Sequence, residues 1–118
     1  MTVSVQFIEG LDEEISEISL RKKRVSNTKI VVLMFDKLKA MEKFRSFTNK
    51  IENLWLRDEE GDIKVIPSGI KFYSGENEEL SKVECAFEVD SDEVFERVMR
   101  FFNRYAEAKG FEFKSGSN

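Results

Sequence analysis

Asp58, Glu59, Glu60 and Asp62 crowd around Gly61 within five consecutive positions and could in principle collect a cation. A calcium loop spreads its oxygens over about twelve residues and closes on a bidentate Glu, and this turn offers neither. The acids therefore read as charge on a solvated turn. Histidine is absent, which removes the commonest general base and the commonest metal ligand together. The chain contains no phosphate-cradling Gly-rich loop, nucleophile elbow, zinc spacing or helix-borne carboxylate pair. Cys85 shares strand parity with Val83 and Phe87, so its thiol is expected to be buried and inert. On these grounds the chain is not expected to be an enzyme, and no catalytic, metal or cofactor residue is assigned.

Residues that could bind are easier to find. Arg21, Lys22, Lys23 and Arg24 form the densest run of positive charge. In an extended strand alternate members point to opposite faces, so the run is either a docking element or a cationic edge that discourages aggregation. Trp55 and Arg57 share one face of their strand and can touch. Trp55 itself is a core or edge-covering aromatic, or a binding anchor. Arg97, Arg100 and Arg104 recur at helical spacing, giving either a docking face or a solvated one with Glu93, Glu96 and Glu107 as partners.

The elements that must hold these groups follow from periodicity. Val94, Phe95, Val98, Phe101, Phe102 and Tyr105 trace the apolar stripe of a helix from Asp90 to Lys109. Asp90 with Glu93 suits an N-terminal capping box, and Gly110 suits a left-handed C-terminal cap. Upstream, alternation predicts strands at Val3–Phe7, at Ile18–Leu20 and at Val83–Val89. The unbroken run Lys29–Phe35 predicts a central strand covered on both faces. Ile51–Arg57 and Asp62–Ile66 flank Gly61 as a hairpin, with Pro67 and Gly69 marking a bulge or an edge. Ile70 and Phe72 resume the alternation up to a turn at Ser74–Asn77. Phe111 and Phe113 can add a last strand, and Leu38, Met41 and Phe44 suggest a short helix within Asp36–Lys50.

The expected class is α+β, an antiparallel sheet of five or six strands with a long C-terminal helix packed on it. Residues 1–114 are expected to form one domain and residues 115–118 a flexible tail. With 118 residues, 41% of them hydrophobic and eleven Phe among them, the chain can bury a real core despite being 36% charged. A net charge of −4 disfavours a general nucleic-acid binder. The single Cys allows no internal disulfide, and no apolar run approaches a membrane span.

Four ordered blocks carry a resemblance: VSVQFIEGLDEEI, EISLRKKR, LWLRDEEGDI and VFERVMRFFNRYAEAKGFEFKS. In order and spacing they resemble the photosystem II reaction-centre Psb28 family. The DEEGD turn and the F-x-R-x-M-R-F-x-x-R-Y-A run from Phe95 to Ala106 are the most specific of them. Where the family's pattern has an F-x-F-x-x-P segment, Phe35 is here followed by Asp36-Lys37-Leu38, which marks a divergent paralogue.

The resemblance implies an extrinsic assembly or repair factor on the cytoplasmic (stromal) side of the thylakoid membrane. It implies transient binding to photosystem II assembly intermediates, with the reaction-centre subunits and the larger inner-antenna subunit as partners. It also implies sheet extension by a tail of the antenna subunit; a peripheral monomer with no cofactor and no nucleic acid is expected. Arg21, Lys22, Lys23, Arg24, Trp55 and Arg57 are the candidate partner-binding residues. The alternative is a small-molecule or RNA-binding antiparallel-sheet domain, although an RNA-reading sheet would want exposed stacking aromatics in a basic surround.

Overall fold

A computed structural model describes residues 2–40, 52–74 and 80–110. Its strands are β1 (Ser4–Gln6), β2 (Glu17–Lys22), β3 (Lys29–Phe35), β4 (Leu54–Asp58), β5 (Gly61–Val65), β6 (Gly69–Ser74) and β7 (Leu80–Val89). One helix, α1 (Asp92–Lys109), follows them. The class is α+β, as the pattern predicts, but among the described residues the strands divide into two antiparallel sheets. One runs β1-β4-β5 and the other β2-β3-β7-β6. The division falls at Ile66–Ser68, between β5 and β6. Pro67 has no amide hydrogen to continue a ladder, so the chain leaves the edge of one sheet there and enters the edge of the other.

β3 is central, with β2 on one side and β7 on the other. Its register explains its composition. Val31, Leu33 and Phe35 face the main core beside Phe87, Cys85 and Val83, and Val32 on the opposite face is also buried. Val5, Leu54 and Leu56 enter the same core from the three-stranded sheet. Phe7 meets Phe35 edge to face at 5.5 Å, and both belong to that core.

The helix closes the core. Val98, Phe101, Phe102 and Tyr105 are fully buried and Phe95 is half-buried, as their spacing predicts, while Val94 is exposed. The N-cap differs from the expected one. Ser91 Oγ accepts from the Val94 amide, so the third helical position is Val94 and Glu93 cannot complete a capping box. Asp90 accepts instead from the Thr28 hydroxyl at 2.7 Å. Gly110 takes the left-handed conformation at φ 77° and donates to Ala106 O.

Two buried polar groups tie the segment after β1 to the rest. The Tyr105 hydroxyl accepts from the Ile15 amide at 2.9 Å. Glu13, almost fully buried, accepts from the Lys39 and Ala40 amides at 2.7 and 2.9 Å, where the backbone turns helical. That start agrees with a short helix in Asp36–Lys50. Its continuation through Met41 and Phe44, the turn at Gly75–Asn77, the Phe111–Phe113 strand and the 115–118 tail lie outside the described residues.

Candidate partner-binding surface

The six candidate residues occupy two places, not one. Arg21 and Lys22 end β2, an edge strand, and Lys23 and Arg24 lead into the turn toward β3. All four are exposed, and the register puts Arg21 opposite Ile30 and Lys22 opposite Lys29, on opposite faces. Lys23 Nζ pairs with Glu88 at 3.2 Å. The next side chain, Val25, is 95% exposed.

Trp55 and Arg57 belong to β4, which has β1 on one side and β5 on the other. A central strand has no free edge, so these two can offer a face but cannot seed a new strand. Their shared parity does bring them together: the Arg57 guanidinium lies over the Trp55 ring at 5.2 Å, and Lys64 of β5 lies over it at 5.7 Å. Trp55 is half-buried on this outer face and is not part of the core. Arg57 is held in place: its NH1 donates to Gln6 Oε1 at 2.7 Å, and its Nε lies 3.3 Å from Asp62 Oδ2. The Nε approach has ion-pair distance without hydrogen-bond alignment, because that nitrogen is buried and makes no hydrogen bond. Gln6 also donates to Asp12 and accepts from the Gly10 amide, so the Arg57 contact extends into the loop after β1.

Two of the hairpin acids, Asp58 and Glu60, are not charge left on a solvated turn, whereas Glu59 is exposed there. Asp58, 0% exposed in its side chain, takes both NH groups of Arg97 at 2.6 and 2.9 Å and a third bond from Arg104 at 2.9 Å. Glu60 accepts from Arg100 at 2.9 and 3.0 Å and from Arg104. The helix arginines thus pair with the β4–β5 turn, and the expected partners Glu93, Glu96 and Glu107 are replaced by Asp58 and Glu60. Gly61, at φ 128°, makes the turn possible, and its carbonyl accepts from Arg97 at 3.1 Å. Burial alone would raise the Asp58 carboxyl, but the bonds from Arg97 and Arg104 outweigh it and hold it at about 2. Bonds from Arg100 and then Arg104 hold Glu60 at about 2 as well.

The sequence signal for this network lay in two groups that a local reading treats separately, acids within one turn and arginines on one helix face. They come from the two most specific blocks of the resemblance, and in the fold those blocks are one contact. Among the described residues no cluster of three or more acids or thiols is arranged to hold a metal ion. Cys85 is buried as its parity predicts, and burial pushes its thiol up to about 12.

Known proteins resemble the chain over nearly its whole length. The family model described as Psb28 protein matches residues 5–113. A protein of Cyanidioschyzon merolae named photosystem II reaction center Psb28 protein is 34% identical over 112 residues, covering 94% of this chain and 96% of its own. Proteins of the same name from Acaryochloris marina and Cyanophora paradoxa are 29% and 30% identical, with 96% and 97% of this chain covered and 97% of each relative.

Proposed function

The chain belongs to the Psb28 protein family, and from that premise we propose that it is an extrinsic factor of photosystem II assembly or repair. It acts at the thylakoid membrane as a peripheral protein on the cytoplasmic (stromal) side. It binds transiently to incomplete complexes that contain the reaction-centre subunits and the larger inner-antenna subunit. The observation that carries this reading is the family match over residues 5–113, together with the photosystem II name borne by full-length relatives. The role is one of binding, without catalysis, cofactor or nucleic acid, and the bound form is a monomer. The described helix is not long and apolar enough to cross a membrane.

The sheet order supports a binding mode: among the described residues β1, β5, β2 and β6 end their sheets. Sheet extension needs an edge, and β2 is an edge strand whose exposed end carries Arg21 and Lys22. We place the incoming tail of the antenna subunit along β2, main chain to main chain. The Trp55, Arg57 and Lys64 face of β4 and β5 supplies a second contact through side chains. Fractionation tests the proposal. A tagged copy expressed in a cyanobacterium should sediment with thylakoid protein and migrate with photosystem II complexes smaller than the mature form. Retention on RNA in place of membranes, lost on adding salt, would support the RNA-binding alternative and reject this one.

A further inference from the structure

The β2–β3 hairpin tip combines two features that the protein-docking role does not require together. Val25 is the most exposed large hydrophobic side chain among the described residues, at 95%. It directly follows four consecutive cations. The last rung that β7 shares with β3 is Lys29 opposite Val89. The hairpin continues past that rung, with the Lys23 amide bonded to Thr28 O, so residues 23–28 overhang the sheet.

Charge at the base of the hairpin is largely paired. Lys23 pairs with Glu88, Lys29 lies 3.4 Å from Asp92, and Asp90 accepts from the Thr28 hydroxyl. Glu93 is the remaining acid in the first turn of α1. Among the described residues Arg21, Lys22 and Arg24 have no acidic partner, and all three are exposed. Because Arg21 and Lys22 point to opposite faces, a partner lying flat on either face would meet only one of them. A surface met end-on by the tip would meet both, together with Arg24 and Val25.

We propose that the β2–β3 tip is a lipid-contact element that touches an anionic bilayer end-on, with Arg21, Lys22 and Arg24 at the headgroups and Val25 in the interfacial layer. Charge complementarity selects this occupant: the chain carries −4 overall, yet Arg21, Lys22 and Arg24, without acidic partners among the described residues, stand within four positions of one another beside an exposed apolar side chain. Exposed cations act within a Debye length of about 10 Å, so local charge governs the approach and net charge does not. The contact goes beyond the assembly role and does not depend on any photosystem subunit.

Vesicle sedimentation tests it with the purified full chain. Binding is expected to vesicles of phosphatidylglycerol mixed with phosphatidylcholine and not to phosphatidylcholine alone, and it should weaken as salt rises. Each cation removed should lower the partition coefficient about fivefold, so Lys22→Ala with Arg24→Ala should lower it roughly 25-fold. Val25→Ser should lower it severalfold with charge unchanged. Thermal unfolding of these variants should match the parent, because the altered side chains are exposed. Equal binding to neutral vesicles, no binding to anionic ones at low salt, or wild-type partition of the variants would each overturn the proposal. Retention on native membranes that disappears after protease treatment, without vesicle binding, would mean that the tip reads protein and would overturn it too. Vesicle binding without photosystem II recovery would instead uphold the tip and refute the assembly role.

Discussion

A carboxylate that accepts from two arginines while its own side chain is shielded from water is the residue on which the hairpin and helix depend. Replacing Asp58 with Asn leaves Arg97 and Arg104 facing a neutral amide. Removing one partner of a fully buried pair costs about 3–5 kcal/mol. Here the arginines are 19% and 24% exposed and water offsets part of the loss, so about 2 kcal/mol is expected in urea unfolding at neutral pH. A loss under about 0.5 kcal/mol, the size of an ordinary surface substitution, would reject the network as a stabilising unit.

The pH dependence has a definite sign. Asp58 is lowered from 3.8 to about 2, so its contribution is complete above about 3.8 and is lost as pH falls through about 2. The stability gap between the parent and Asp58→Asn should therefore close in that window, and a gap that persisted at pH 1.5 would contradict the assignment. Residue-scale features were legible where they depended on strand parity, as for Cys85 and the Arg57–Trp55 pair. The Asp58–Arg97 contact spans 39 positions and the Ile15–Tyr105 bond spans 90, and only the fold brings such groups together.

The helix shows at the scale of an element how periodicity fixes a face better than an end. Phe102 has no exposure, and Phe102→Ala should cost roughly 3–5 kcal/mol through lost burial and the cavity left behind. A loss near 1 kcal/mol would place that side chain outside the core. At the N-terminus, Ser91→Ala should cost about 1 kcal/mol through the lost bond to the Val94 amide, and Asp90→Ala should cost less. The reverse order would restore Asp90 as the cap. Sequence could not separate these neighbours, because Asp and Ser cap about equally well and the tertiary partner Thr28 takes Asp90 away. Strand positions were likewise legible from alternation, but their division into two sheets was not. Alternation marks one buried face per strand and does not say which neighbour shares it.

For the whole molecule, two sheets and a helix share one core, and the arginine network fastens the helix to the turn between β4 and β5. Around that body the proposed contacts fall in three places: the cationic β2–β3 tip, the edge strand β2 beside it, and the Trp55 face of the other sheet. Neither the edge nor the tip could be recognised from charge alone, because the same run of Arg and Lys also suits an edge strand protected from aggregation. What made it specific was position: among the described residues Arg21 and Lys22 end β2 without acidic partners, and Arg24 and Val25 lie in the overhang just beyond it. The central claim is that the chain binds photosystem II before the complex is finished. The most direct measurement is affinity purification of a tagged copy from thylakoids, with every attached subunit quantified. Reaction-centre subunits and the larger inner-antenna subunit should be recovered together, without the complement of the mature oxygen-evolving complex. Recovery only with mature complexes, or only with ribosomes, would contradict the account.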